Sequence, residues 1–498
     1  MKILSVEQLR DADAFTIQHE PIASIDLMER AAKACSYWLR KNEKQYQSFK
    51  IFCGVGNNGA DGLALANMLV DSEIVMINYS HKRSANFLVN FQRSKKNEIP
   101  IKEINSVQDL EIIIDKKTII IDCIFGTGLN KPAEGLSADA IKFINNSGCE
   151  VISIDVPSGL SCDDLPKEKS EIVKANHTLT FQCPKLSFMF PSSGKYCGNI
   201  HVLDIGLDKK FVQEKTSKNY FITKEDIKKI YSPREKFSHK GTYGHALIVA
   251  GSYGKAGASV LSAKACLRAG AGLVTVHVPK CNYQIIQTAL PEAMTEVDAN
   301  ETYIGHDIKI DNYNAIAIGP GIGILDATQD ILKVLIQNTH VPLVIDADAI
   351  NILSENKTWL AFLPAGSILT PHPKEFERLC GKTTDEMERY QLQKSFSVKH
   401  NVYVVLKGAH TCISTPEGEM HFNSTGNAGM ATAGSGDALT GIITALLAQG
   451  YSSFESCLMG VYLHGLSGDI AAEKFTQEAM IASDIIDCLA EAFKKIGD

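Results

Sequence analysis

The sequence of 498 residues holds no Cys-x-x-Cys pair and no His-Glu-x-x-His, although it carries 13 cysteines. Thiols scattered in this way argue against zinc sites, a disulfide framework and redox dithiols, and a reducing cytoplasmic setting is expected. No segment approaches the roughly 18 uninterrupted apolar residues of a membrane-spanning helix. The opening residues, Met-Lys-Ile-Leu-Ser-Val-Glu-Gln-Leu-Arg-Asp, become charged before an apolar run reaches signal-peptide length; a soluble, non-exported protein is expected. An excess of positive charge is also missing. Lys and Arg number 50 against 57 Asp and Glu, a formal net charge of −7. No global basic field exists to hold nucleic acid or an anionic membrane, so anionic ligands must be bound locally. There is no short tandem repeat and no low-complexity tract.

What is present is a globular composition, 45% hydrophobic, in a chain long enough for two or three domains. Ser5 followed by Gln8 reads as a capping box opening a first helix, and Ile25 to Tyr37 has the spacing of a second. Apolar runs of strand length then alternate with helical stretches at Lys50–Cys53, Ile74–Asn78, Thr118–Asp122 and Val151–Asp155, with closing strands at His177–Phe181 and Gly198–Asp204. This pattern indicates a parallel α/β sheet covered on both faces. Between Lys209 and Lys236 the composition shifts to Lys, Glu and Asn, which marks the best domain boundary. The rhythm restarts at His245–Ala250 and continues through Leu273–Val278, Ala315–Ile318, Leu343–Asp346, Ser367–Leu369 and Val402–Leu406. A second α/β domain is expected.

In the first half, strand Lys50–Cys53 runs into Gly54-Val55-Gly56-Asn57-Asn58-Gly59-Ala60-Asp61-Gly62, a literal Gly-x-Gly-x-x-Gly. A dinucleotide dehydrogenase would place an acid at the end of the second strand, where this chain has Tyr79-Ser80-His81-Lys82-Arg83, so hydride transfer loses support. His81, Lys82 and Arg83 read as a solvated cluster. Further polar turns follow at Asp122-Cys123-Ile124-Phe125-Gly126-Thr127-Gly128-Leu129-Asn130-Lys131-Pro132 and Asp155-Val156-Pro157-Ser158-Gly159. They sit at strand carboxyl ends, where open α/β sheets bind ligands. Asn58, Asp122 and Ser158 offer oxygens suited to a hard monovalent cation. The alternative is that each only forms its turn.

The second half repeats the device at Gly251-Ser252-Tyr253-Gly254-Lys255-Ala256-Gly257-Ala258 and Gly319-Pro320-Gly321-Ile322-Gly323. Asp346-Ala347-Asp348-Ala349 and Thr370-Pro371-His372-Pro373 close two strands, with His372 fixed between prolines and placed to hydrogen-bond a ligand. Lys407-Gly408-Ala409-His410-Thr411 precedes Asn427-Ala428-Gly429-Met430-Ala431-Thr432-Ala433-Gly434-Ser435-Gly436-Asp437. There the glycines let backbone N–H groups converge on an anion at the start of the helix carrying Leu439, Ile442, Ile443 and Leu446. A carboxylate beside bound phosphate cannot favour the anion. Asp437 is therefore expected to accept a proton from a hydroxyl under phosphoryl attack, the alternative being an acid that only complements the helix dipole.

Asn-Asn-Gly-x-Asp-Gly, Phe-Gly-Thr-Gly-Leu and Asp-Val-Pro-Ser-Gly over residues 1–220 resemble the epimerase domain of the NAD(P)H-hydrate repair enzymes. Residues 224–498 resemble the ribokinase-like dehydratase domain of the same family, most specifically in Gly-Met-Ala-Thr-Ala-Gly-Ser-Gly-Asp. The resemblance implies two α/β domains, a Rossmann-like mostly parallel sheet followed by a ribokinase-like domain. It implies a substrate, NADH or NADPH hydrated at C6, cradled by Asn57 to Asp61 and Gly126 to Pro132, with Asp155 facing the hydrated ring. It further implies potassium on Asn58, Asp122 and Ser158, adenine nucleotide on Lys407 to Thr411 and Asn427 to Gly436, and hydrate contacts from Ala258, Gly323, His372 and Asp437. Mg²⁺ is expected with ADP or ATP, bacterial relatives usually using ADP, and a homo-oligomer is expected. Where the family often has Pro after the Asn, this chain has Ala428, which puts local rigidity in question. Two alternatives stay open: a ribokinase-like kinase that releases its phosphorylated product intact, and a non-catalytic dinucleotide-binding or scaffold module at the N-terminus, a use the same fold also has.

Overall fold

Side chains alternate across a strand, so a strand buried on both faces feeds two cores at once. In His245–Val249, Leu247 and Val249 enter one core while Ala246 and Ile248 enter the other. In Ser48–Cys53, Ile51 and Cys53 pack on one side and Phe52 on the opposite side. That double burial is why these segments are near-continuous apolar runs.

The computed structural model describes residues 1–42, 48–129, 131–306 and 308–497. The chain divides into two compact units, Lys2–Ser217 and the residues from Lys218 onward together with Met1. The first holds a seven-stranded sheet of β1 (Ser48–Cys53), β2 (Ser72–Ile77), β3 (Ile101–Ile104), β4 (Thr118–Cys123), β5 (Glu150–Ile154), β6 (His177–Phe181) and β7 (Asn199–Leu203). Its order is β3-β2-β1-β4-β5-β6-β7, and every pairing is parallel. The order reverses between β1 and β4, the switch point where such sheets open a crevice. The capping box at Ser5 is present and opens the helix Val6–His19.

The second unit holds β8 (Asn219–Phe221), β9 (His245–Val249), β10 (Leu273–Val278), β11 (Met294–Val297), β12 (Ala315–Ile318), β13 (Leu343–Ile345), β14 (Ile368–Leu369), β15 (Tyr403–Leu406), β16 (Cys412–Ser414) and β17 (Met420–Phe422). The order is β11-β10-β9-β12-β13-β14-β15-β16-β17-β8. Its switch point lies between β9 and β12. Among the described residues antiparallel pairing is confined to β15 with β16 and β16 with β17.

The sequence pattern does not foresee β3, β11, the hairpin of β16 and β17, or β8, which lies inside the expected boundary segment. All are three or four residues long, too short for a periodicity to register. Among the described residues no helix is long and apolar enough to cross a membrane.

Candidate active sites

The first site is built at the switch point of the seven-stranded sheet. A Cβ on Gly54 would run into the Ile124 carbonyl, and one on Gly59 into the Gly54 carbonyl. Bare backbone therefore lets the turn after β1 and the start of helix Asn57–Ala66 close against the turn after β4. These turns and the one after β5 surround a cavity of about 480 Å³, lined in part by Asn57, Asn58, Asp61, Gly126, Thr127, Gly128, Leu129 and Asp155. That volume suits a small organic ligand. Asp155 sits in the left-handed region at φ 67°, a backbone strain that non-glycine residues keep where the surroundings over-determine it.

The side chains there carry an uneven charge. Lys185, buried, has its Nζ 3.0 Å from Asp155 Oδ1 and donates to the Phe181 and Cys183 carbonyls. Burial, then the Asp155 charge, push the Asp13 carboxyl up to about 6, against the pull of Lys185. Burial, Asp155 and Asp13 push Asp61 well above the usual carboxylate range.

Under the turns, Asp122 accepts from Ser158 Oγ at 2.5 Å, Ser158 N at 2.8 Å, Ser153 Oγ at 2.8 Å and Ile124 N at 3.3 Å. Burial raises its pKa in spite of these bonds. Asn58 Nδ2 donates to the Phe125 and Ile154 carbonyls, while its buried Oδ1 has no hydrogen-bond partner among the described residues. Among the described residues no group of three His, Cys, Asp or Glu could hold a metal.

The second site lies on the ten-stranded sheet, around helix Ser435–Ala448. Gly434 caps this helix at φ 86°, so the chain can enter the helix with its first N–H groups free to face an anion. A cavity of about 730 Å³ is lined by His372, Lys407, Gly408, Ala409, Thr411, Asn427, Ala428, Met430, Ala431, Thr432, Ser435 and Gly436, with Asn423, Leu439, Val461 and His464 among its other walls. Asn427 holds the entry turn in place. Its Nδ2 donates to Asp469 Oδ1 and its Oδ1 accepts from Gly429 N, while Gly426 N donates to Asp469 Oδ2. Asp469 therefore supplies the rigidity left in question by Ala428.

Lys407 Nζ lies 2.9 Å from Asp346 Oδ1, and Thr440 Oγ1 donates to Asp346 Oδ2 at 2.7 Å. Asp437 stands one residue beyond Gly436. Burial, then the charges of Asp346 and Asp348, push its carboxyl up to about 7, with Lys407 opposing. A carboxyl raised that far exchanges its proton near neutrality, the condition for efficient proton transfer. Asp348 also accepts from Gly323 N at 2.8 Å and pairs with Lys255 at 3.1 Å. Gly323 has open space around it, and a Cβ on neighbouring Gly321 would come 3.1 Å from Ala258 Cβ; the expected contacts Ala258, Gly323 and Asp437 are not among the residues lining the second cavity. Ser435 Oγ is 3.2 Å from His464 Nε2, a ring that burial brings down to about 4 and so keeps neutral.

A family model described as NAD(P)H-hydrate dehydratase matches residues 246–491, and one described as YjeF-related protein N-terminus matches residues 24–187. The Bifunctional NAD(P)H-hydrate repair enzyme Nnr of Moorella thermoacetica is 34% identical over 520 residues, covering 100% of this chain and 97% of the relative. The chain belongs to the bifunctional NAD(P)H-hydrate repair enzymes. The Escherichia coli protein of the same name is 30% identical over 477 residues, 93% of this chain and 88% of that one. The crystal structure of an ADP/ATP-dependent NAD(P)H-hydrate dehydratase from Bacillus subtilis, co-crystallized with ATP/Mg2+, is 30% identical with a TM-score of 0.50, covering 56% of this chain and 98% of that one.

Not every residue expected from the family's motifs reaches a cavity wall. Gly59 and Ala60 are buried beneath the first cavity. Lys131 and Pro132 line an adjoining space of about 320 Å³ that shares Arg10, Thr127, Gly128 and Leu129 with it. Asn130 lies outside the described residues. His410 turns its Nδ1 to the Asn423 carbonyl. Gly429 packs against Gln477 and Met480, and Gly434 against Leu261 and Ala482; Ala433, like these two and His410, is not among the residues lining the second cavity. His372 lines it but spends Nδ1 as an N-cap, accepting from Lys374 N and Glu375 N. Conversely Arg10, Asp13, Tyr79, Lys185 and His464 join the two sites from segments carrying no motif, and no local signal marks them.

Proposed function

We propose that this repair enzyme interconverts the C6 epimers of hydrated NADH and NADPH in an epimerase domain, residues 1–220, and dehydrates the S epimer in a domain of residues 224–498 at the expense of ADP or ATP. The single observation that carries the reading is the full-length kinship with bifunctional repair enzymes, joined to a cavity on each sheet. The C6 hydroxyl is a poor leaving group. Asp437 takes its proton while the terminal phosphoryl group of the nucleotide passes to its oxygen. The ring nitrogen's lone pair then expels phosphate, and loss of a C5 proton restores the dihydropyridine ring. The N–H groups of Ser435 and Gly436 stabilise charge gathering on the phosphoryl oxygens, a class of interaction whose loss typically costs about 3–4 kcal/mol. Lys407, Gly408, Ala409 and Thr411 and the turn from Asn427 to Gly436 hold the nucleotide, whose Mg²⁺ arrives with its phosphates.

In the epimerase domain Asp155 faces the hydrated ring. Asn58, Asp122 and Ser158 suit potassium on two counts, the unpartnered Asn58 Oδ1 and a buried Asp122 carboxylate with no cation beside it among its hydrogen-bond partners. Bound there, the ion supplies positive charge that offsets Asp122 and braces the two turns. A homo-oligomer in the cytoplasm completes the proposal.

The deciding experiment incubates a mixed-epimer NADH hydrate with ADP or ATP and magnesium while NADH absorbance is followed. Complete conversion is expected. No return of NADH with either donor overturns the reading, and a stable phosphorylated product would mark a kinase instead.

A further inference from the structure

Along a route of water loss and re-addition, epimerisation at C6 takes the hydroxyl from one face of the ring and returns it to the other, so a proton is given on one face and taken on the other. A single carboxyl fixed on one side of the ring cannot serve both faces. Besides Asp155 and Asp61, the first cavity contains a third carboxyl from an unexpected source, Asp13 on helix Val6–His19. This residue precedes the segment matched by the N-terminal family model, which begins at residue 24. It faces the cavity together with Arg10 of its own helix, Asp61 of helix Asn57–Ala66, Tyr79 beyond β2, and Asp155 beyond β5. Lys185 pairs with Asp155, and among the described residues neither Asp13 nor Asp61 has an ion pair of its own. Buried Asn58, whose Oδ1 has no hydrogen-bond partner among the described residues, lines the same cavity.

We propose that Asp13 is a catalytic residue of the epimerase domain, the proton donor that complements Asp155. This rests on the epimerase reading above. In the first step the C6–O bond breaks and its electron pair leaves with oxygen, which takes the Asp13 carboxyl proton and departs as water. The nitrogen lone pair closes a C6–N1 double bond. In the second step a water molecule adds to the other face of C6, its electron pair forming the new C–O bond and the nitrogen pair returning. The excess proton passes to Asp155. The reverse epimerisation exchanges the two roles, and solvent restores the starting protonation. The raised pKa of Asp13 keeps its acid form populated near neutrality, as a donor requires.

The test uses the full-length chain. Epimer exchange is followed on hydrated NADH, the thermal unfolding transitions of the full-length chain, compared with wild type, report that both units are folded, and H₂¹⁸O reports C6–O cleavage. In the wild type, label should enter C6 at the epimerisation rate, and that rate should decline as pH rises above about 6 to 7. Asp13→Asn should lower epimer exchange by roughly 10²- to 10⁴-fold and abolish the alkaline decline, and Asp13→Glu should restore part of the rate with a displaced decline. Exchange in Asp13→Asn at the wild-type rate, or a loss that Asp13→Glu does not relieve while the alkaline decline persists in the residual activity, overturns the role of Asp13. Epimerisation without label entry overturns the proposed step. Absence of exchange in the wild type overturns the epimerase reading itself.

Discussion

Asp437 shows how a single position joins motif, burial and chemistry. The glycines beside it announce an anion site in the sequence, yet only the fold brings Asp346 and Asp348 close enough to raise its carboxyl to about 7. If Asp437 is the base proposed above, it works only when ionised, so dehydration should fall about tenfold per pH unit below that value, with saturating nucleotide. Asp346→Asn removes a neighbouring negative charge and releases Lys407, and both effects should move this acid limb to lower pH. An unmoved limb would refute the coupling. The linkage has the opposite sign to that of a salt-bridged acid. The folded state binds this proton more tightly than the unfolded one, so Asp437 costs stability progressively as pH rises from about 4 to 7. Asp437→Asn should abolish dehydration, a drop of at least roughly 10²-fold, while calorimetry still detects nucleotide binding; loss of both would mark a structural role. In the epimerase domain, Asp155→Ala should leave one epimer unconverted while the other is still dehydrated, and conversion of both at the wild-type rate would refute the assignment of Asp155. Residues in glycine-rich turns were legible because their chemistry is local. Asp13, Lys185 and His464 were not, since each acts through contacts across tens or hundreds of residues that no spacing encodes.

Elements differ in the same way. The twelve strands expected in the sequence are present within one or two residues of their expected ends, because parallel strands buried on both faces cannot be polar. What escaped were short edges such as β8 and β11, and the first helix's part in a cavity wall. That helix announces its start through Ser5 and Gln8, but an amphipathic pattern gives a buried side and does not say which polar residue meets a ligand. The turn entering helix Ser435–Ala448 carries its own prediction. Gly434 combines a φ of 86° with a missing Cβ that would strike Leu261. Gly434→Ala should cost about 1–2 kcal/mol for the left-handed backbone alone, and it should weaken nucleotide binding beyond any loss of stability. Thermal unfolding with and without nucleotide separates the two. Equal destabilisation under both conditions would show that the turn does not hold the ligand.

At the scale of the whole molecule, each unit supplies its own sheet, switch point and cavity, which makes two activities in one chain physically separable. Potassium offers a test that discriminates between them. If the ion braces Asn58, Asp122 and Ser158, replacing K⁺ with a large organic cation should slow epimerisation and leave ADP-dependent dehydration of the reactive epimer unchanged. Asp122→Ala should slow epimerisation and erase the K⁺ response. A potassium-sensitive diffraction experiment with no anomalous peak near Asn58 Oδ1 would end the proposal. Glycines 54 and 59 extend the same reasoning to heredity. Each occupies a place where the first atom of any side chain collides with backbone, and backbone cannot swing aside as a side chain can. Every missense change in either codon adds that atom, so neither position has a mild neighbour in sequence space. Saturation mutagenesis scored by epimerase function should therefore find these two positions intolerant of all nineteen alternatives, alanine included.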